Sequence, residues 1–140
     1  MKLILNMDGR DTCTIEIWED RFPAVAEALR KVLPVTSIAQ HGKIVGDLLY
    51  FCLPVVMPNE KPLTLTEICR QRRAEKGTAG GSVCFYGPRQ QICIYYGDDV
   101  SPEPFELSYC GEIIEGNTEM ELAAVKTWTS PGVPLTLRLA

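Results

Sequence analysis

The segment Gly80–Asp99 constrains the fold of this chain more than any other part of the sequence. It reads GGSVCFYGPRQQICIYYGDD, with β-branched and aromatic residues on both sides of Gly87-Pro88. Glycine adopts backbone angles that other residues avoid, and proline fixes φ. The flanking side chains suit a pleated, half-buried surface. The segment therefore predicts a β-hairpin with strands at 82–86 and 91–96.

Several other segments also have the composition of strands. Cys13, Ile15 and Ile17 alternate with polar or amphipathic neighbours, which predicts a strand with one buried face. The apolar run LLYFCL at 48–53 fits a strand that is buried on both faces or that lines a barrel. Further strands are predicted at 2–6, within 35–53 around a Gly42-Lys43 turn, at 105–114 with Tyr109 and Ile113 on one face, and at 135–139.

Asp20–Leu33 is the clearest helix, because it has an apolar stripe at helical spacing and ends at Pro34. Asp20 is predicted to cap its first turn, where Pro23 is tolerated. A second helix is predicted at Thr64–Lys76, with a capping box formed by Thr64 and Glu67.

A third, shorter helix is predicted to open at a capping box formed by Thr118 and Glu121. The basic residues at the end of the second helix, within Arg70–Lys76, have two interpretations. They form either a solvated face or a contact for an anion or a partner.

Composition limits the function classes. A chain of 140 residues with 46% hydrophobic residues predicts a single domain, residues 1–140, with a real core. A net charge of -4 makes nucleic acid an improbable partner. No apolar run approaches the roughly 20 residues that span a bilayer, and Asp8 and Arg10 follow the start too soon for a signal peptide. We therefore expect no membrane partner and a cytoplasmic location.

The six cysteines contain no C-x-x-C pair, so zinc-ribbon and thioredoxin spacings are absent. We expect buried free thiols, no metal and no cofactor. A catalytic pair between a cysteine and His41, the only histidine, is the alternative. Asp98 and Asp99 are weak candidates for metal ligands.

About eight strands without a βαβ rhythm predict a mainly β fold. A closed antiparallel barrel leaves no bare edges, and two amphipathic helices would cap its ends.

The order of these elements resembles cyclophilin, and resembles more closely the small bacterial and archaeal cyclophilin-like proteins of unknown function. The resemblance covers nearly the whole chain, and it implies that the helix at Thr64–Lys76 is an extra short helix in an insertion. The motifs that carry it are the first helix, which ends in Leu33-Pro34, the run Gly46–Phe51, the hairpin Gly81–Gly97 and the later Gly111–Gly116.

Cyclophilins use an arginine in a Phe-His-Arg motif, and the matching region here, Ser37–Lys43, lacks it. The resemblance therefore implies the fold without prolyl isomerase activity. It also implies a groove that corresponds to the cyclophilin cleft. The candidate ligand-binding residues there are His41, Tyr50, Tyr86, Arg89, Tyr96 and Glu112.

Aromatic walls with one cation and one imidazole suit a small anionic or heterocyclic ligand. The leading hypothesis is a binding or accessory protein for a small molecule or peptide, which forms a homo-oligomer. The alternatives are an enzyme, either a weak prolyl isomerase or a hydrolase or lyase using His41 with an acid, and a structural subunit of a partner enzyme.

Overall fold

The computed structural model describes residues 1–140 and contains nine strands and three helices. The strands are β1 (Lys2–Met7), β2 (Arg10–Ile17), β3 (Val35–His41), β4 (Gly46–Cys52), β5 (Leu63–Thr64), β6 (Ser82–Tyr86), β7 (Gln91–Val100), β8 (Glu106–Glu115) and β9 (Val133–Leu139). The helices are α1 (Pro23–Val32), α2 (Leu65–Lys76) and α3 (Asn117–Lys126), and one 3₁₀ turn, Gly87–Arg89, joins β6 to β7.

Eight of these strands close into an antiparallel barrel. Their order is β2-β1-β9-β3-β4-β7-β6-β8, and β2 pairs with β8 to complete the circle. The short β5 adds to β8 through Leu63 and Thr64. The predicted mainly β, closed antiparallel barrel is confirmed, as is the β6–β7 hairpin around Gly87-Pro88.

The barrel wall is apolar on both faces along part of its circumference. An inner cluster of 26 buried residues fills the barrel and includes apolar residues of α1 and α3. A second cluster of ten buried residues lies outside the wall, where α2 covers it. Leu48 belongs to the outer cluster, and Leu49 and Phe51 belong to the inner one. The continuous apolar run in β4 is explained by these two cores.

Helix α1 begins at Pro23, and the predicted cap by Asp20 is wrong. The Glu60 carboxylate caps the helix instead, because it accepts a hydrogen bond of 3.0 Å from the Val25 N–H. A carboxylate at this end of a helix also complements the helix dipole. The loop between β4 and β5 thereby fixes the start of α1.

The predicted capping box of α2 is confirmed. The Thr64 hydroxyl accepts from the Glu67 N–H, and the Glu67 carboxylate accepts from the Thr64 N–H at 2.9 Å. The corresponding prediction for α3 is wrong, because that helix begins at Asn117 after Gly116 and has no side-chain cap. Gly116 takes a φ of 82°, which glycine adopts without strain.

A β-bulge corrects the predicted faces of β8. The register with β6 shifts between the pairs Val83–Gly111 and Cys84–Tyr109, so Cys110 is an extra residue on β8. Tyr109 therefore lies in the outer cluster, and Ile113 lies in the inner one. The two had been predicted on one face.

All six cysteines are free thiols. Five are buried as predicted, and Cys52, at the end of β4, is exposed. None of the three helices has the length and apolar character required to cross a lipid bilayer.

Candidate functional site

Three aromatic side chains meet at one end of the barrel. His41 Nε2 lies 2.5 Å from the Tyr96 hydroxyl oxygen, and the Trp128 indole N–H donates to that same oxygen at 3.2 Å. The His41 ring lies against the Trp128 ring with centroids 4.5 Å apart. Tyr96 thus joins a strand residue to the segment that follows α3. We call His41, Tyr96 and Trp128 the aromatic cluster.

Strand register explains how the chain brings this cluster together. His41 is the last residue of β3 and is paired with Leu49, which points into the barrel. Tyr96 also belongs to the inner cluster, because residues alternate along β7 and its neighbour Tyr95 faces outward. Trp128 follows α3, where the buried Thr127 hydroxyl donates to the Ala124 carbonyl and holds the last turn.

An open pocket of about 340 Å³ lies beside the aromatic cluster. Such a volume fits a small molecule. The Lys43 ammonium stands at its edge, where it donates to the Trp128 carbonyl and lies 5.2 Å from the centroid of the Trp128 ring. The pocket is lined by Gln40, His41, Lys43, Thr127, Pro131 and Gly132.

The surroundings keep His41 neutral. Burial, and then the charge on Lys43, lower the pKa of His41, and the carboxylate of Asp47 opposes them. Burial raises the pKa of Tyr96, the Trp128 N–H lowers it, and Asp47 raises it. Both groups are therefore uncharged at neutral pH, which places a neutral imidazole beside a protonated phenol.

The direction of the short contact depends on the tautomer of His41. The Trp128 N–H can only donate, so the Tyr96 oxygen accepts from it. If the Tyr96 O–H donates to Nε2 of neutral His41, the imidazole proton sits on Nδ1. Nδ1 is buried and has no hydrogen-bond partner. The cluster thus contains one unsatisfied polar atom, and it belongs to the residue that lines the pocket.

Of the six candidate residues from the sequence, the structure brings His41 and Tyr96 together. Tyr50 lies on the other side of the wall, against the outer cluster, and donates to Gln40 Oε1 at 2.8 Å. Because strand side chains alternate, Tyr50 points away from the face that carries Leu49 and His41.

The other three candidate residues lie away from this pair. Tyr86 packs against the outer cluster and lies 5.6 Å from Phe105, ring centroid to ring centroid. Arg89 is exposed on the 3₁₀ turn, where it donates to the Pro88 carbonyl. Glu112 is paired with Arg72 of α2. The predicted groove is thus divided between the two faces of the sheet, and ligand binding at Tyr50, Tyr86, Arg89 and Glu112 stays a prediction.

Sequence reasoning missed Lys43 and Trp128. Lys43 lies two residues after the only histidine, in the predicted Gly42-Lys43 turn, and this proximity was the available signal. Trp128 follows α3 and is 41% exposed, which is unusual for a tryptophan.

Two arginines of the basic segment Arg70–Lys76 form ion pairs with other parts of the chain. The Arg72 side chain is only 6% exposed and pairs with Glu112, and Arg73 Nε donates to Asp98 Oδ1 at 2.8 Å. The Asp98 carboxylate also accepts from the Ala79 N–H at 2.8 Å. Of the two predicted interpretations, a solvated face is therefore wrong for Arg72. Asp98, a weak metal candidate, serves as an anchor for α2.

Searches against protein-family models and against curated proteins found no match. Among solved structures, McbB, determined in complex with tryptophan, superposes with a TM-score of 0.76 at 17% identity over 98% of this chain. The chain spans 44% of the length of McbB. The hypothetical protein AF2241 from Archaeoglobus fulgidus superposes with a TM-score of 0.69 at 22% identity, covering 100% of this chain and 95% of that protein. At these identities the likeness shows the fold alone.

Proposed function

We propose that this chain is a cyclophilin-like barrel protein that binds a small anionic or heterocyclic molecule in the pocket beside His41. The observation that carries the proposal is the aromatic cluster, in which His41, Tyr96 and Trp128 are held together at the edge of an open pocket. Aromatic faces bind planar rings, and a few placed polar groups fix their orientation. The Lys43 ammonium supplies a counter-charge at the same edge.

The fold neighbour McbB supports the choice of ligand class, because that protein was determined in complex with tryptophan. An indole ring with a carboxylate is both heterocyclic and anionic at one end. Tryptophan and indole carboxylates are therefore the first compounds to test with this chain.

Prolyl isomerase activity is not part of the proposal. The region that corresponds to the cyclophilin Phe-His-Arg motif is occupied here by Ser37–Lys43, which contains no arginine. An arginine at that place would stabilise a twisted amide in the transition state. We expect a proline-peptide assay to give the uncatalysed rate.

The experiment is a calorimetric titration of the protein with tryptophan, indole-3-acetate and benzoate. At least one of them is expected to bind, and Lys43→Met is expected to weaken binding because it removes the ammonium at the pocket. Lys2→Met is the matched control, since Lys2 is an exposed lysine on β1. Absence of binding to all three, or equal weakening by both substitutions, would contradict the proposal.

A further inference from the structure

The pocket combines a permanent positive charge with a titratable group. Lys43 and His41 both line it, and Lys43 is one of the reasons that His41 is neutral. The other charged or titratable groups near the imidazole are Asp47 at the start of β4 and Tyr96 on β7. Glu121 of α3 acts on Tyr96. A charge that enters the pocket changes this balance.

We infer that the pocket takes its ligand as an anion together with a proton, so that a carboxylate binds beside the Lys43 ammonium while His41 becomes an imidazolium. The inference rests on the function proposed above and adds to it the charge of the ligand and the coupling to pH. It assigns two roles: Lys43 is the fixed counter-charge, and His41 is the proton acceptor.

The physical argument has two steps. A carboxylate beside Lys43 offsets the positive charge that disfavours a second cation, and it also attracts the imidazolium directly. Both effects favour protonated His41 in the complex more than in the free protein. Ligand binding and proton binding are then linked, and each must strengthen the other by the same factor.

The hydrogen bonds around Tyr96 accommodate the extra proton. In the imidazolium, Nε2–H donates to the Tyr96 oxygen, so the tyrosine hydroxyl proton must turn to another acceptor. Asp47 is near enough to influence Tyr96, and its Oδ2 already accepts from the Asp99 N–H at 3.0 Å. Gly97 makes this approach of Asp47 possible, because a Cβ there would collide with the carboxylate. Asp47 would then be the acceptor for the Tyr96 hydroxyl proton when His41 is an imidazolium.

Calorimetry with indole-3-acetate and its neutral isostere indole-3-acetamide tests the inference between about pH 5 and pH 8, where histidine titrates. The acetate is expected to bind more weakly as pH rises, by up to about tenfold per pH unit. Its binding heat should depend on the ionisation enthalpy of the buffer, since a proton is taken up. The acetamide should show neither effect.

Because His41 is the only histidine, its ring resonances titrate without overlap from others in an NMR spectrum. We expect the acetate to raise the pH at which they titrate. His41→Gln should bind the acetate more weakly than the unmodified protein at low pH and lose the pH dependence, because glutamine cannot take up the proton. The control Lys2→Met should behave as the unmodified protein does.

The outcomes separate the two proposals. Acetate binding that is independent of pH and buffer, or a pH dependence retained in His41→Gln, overturns the inference and leaves the binding function intact. Equal affinity for acetate and acetamide at every pH also overturns it. Failure of both compounds, of tryptophan and of benzoate to bind overturns the binding function and the inference together.

Discussion

The Tyr96 hydroxyl connects the wall of the barrel to two ring nitrogens beside the pocket. It bonds to His41 Nε2 and accepts from the Trp128 N–H. Without it, two ring nitrogens in a partly buried site lose their partner. The two losses together should cost about 1–3 kcal/mol, because Trp128 is 41% exposed and water can take the place of its lost partner.

Tyr96→Phe is therefore predicted to lower the free energy of unfolding by about 1–3 kcal/mol and to increase the mobility of Trp128. Denaturant unfolding measures the first effect, and quenching of tryptophan fluorescence measures the second. Tyr86→Phe is the matched control, because the Tyr86 ring packs against Phe105 at the outer cluster, away from this site. Equal effects of the two substitutions would show that the hydroxyl of Tyr96 has no special role.

His41 makes stability depend on pH in the absence of ligand. Its pKa is lowered in the folded state by burial first and by Lys43 second. The unfolded chain therefore binds a proton more readily than the folded one at and below the unfolded pKa of about 6.5. The free energy of unfolding should fall as pH drops through that value toward the lower pKa of the folded state.

In His41→Gln this part of the pH dependence should disappear. Carboxylates with lowered pKa, such as Glu112, also lose stability in acid, but they do so at lower pH. The difference between the two proteins in urea unfolding at a series of pH values isolates the contribution of His41. A difference that does not change with pH would contradict the assignment.

Among the helices, α2 has the most specific attachment to the barrel. Its buried Arg72 pairs with Glu112 of β8 and donates from Nε to the Gly80 carbonyl at 3.3 Å. Removing Arg72 loses these hydrogen bonds and leaves Glu112 with only the more exposed Lys76, whose Nζ lies 3.5 Å from its carboxylate. The neighbouring pair of Arg73 with Asp98 is far more exposed, at 40% and 56% of the side chains.

Arg72→Met is therefore predicted to destabilise the protein by about 3 kcal/mol, the lower end for a buried pair because Glu112 keeps some contact with water. Arg73→Met should cost no more than about 1 kcal/mol. Urea unfolding of the two variants measures the contrast. If Arg72→Met and Arg73→Met were equally stable, the ion pair of Arg72 with Glu112 would not be what holds α2 to the barrel.

The sequence predicted those features that local chemistry determines. The Gly87-Pro88 hairpin and the capping box of Thr64 and Glu67 each depend on residues close together in the chain. The cap of α1 depends on Glu60, which lies 35 residues from the amide of Val25. The bulge at Cys110 changes the strand period without any glycine or proline at that residue to reveal it.

The site was predicted only in part for the same reason. His41 and Tyr96 were identified as residues whose chemistry suits a pocket. Their contact with Trp128 arises because α3 brings that residue across the end of the barrel. Trp128 lies 32 positions after Tyr96 in the chain. Tyr50 and Tyr86 were assigned to the same groove because composition alone does not state which face of a strand is covered by a helix.

Closure of the barrel depends on the contact between β2 and β8. Gly111 faces Ile17 in this pairing, and a Cβ at residue 111 would collide with the Glu16 carbonyl oxygen. That oxygen belongs to the backbone, so it cannot rotate away as a side chain would. The seam between β2 and β8 therefore requires glycine at position 111 because the two backbones approach closely there, and not because residue 111 has an unusual φ.

Gly111→Ala is predicted to destabilise the protein by about 3 kcal/mol or more, since overpacking against backbone forces strands apart. Hydrogen exchange should show the loss first in the amides of β2 and β8. Thr14→Ala changes a partly exposed side chain on the same seam and should have little effect. Uniform loss of protection around the barrel would argue against a local opening of this seam.

The central claim is that a small anionic ring compound binds beside the aromatic cluster, and a titration of the ¹⁵N-labelled protein with indole-3-acetate tests it most directly. The account predicts that the largest changes in amide chemical shift occur at Gln40, His41, Lys43, Thr127, Trp128 and Gly132. Largest changes near Tyr86 and Arg89, or no changes at saturating concentration, would contradict it.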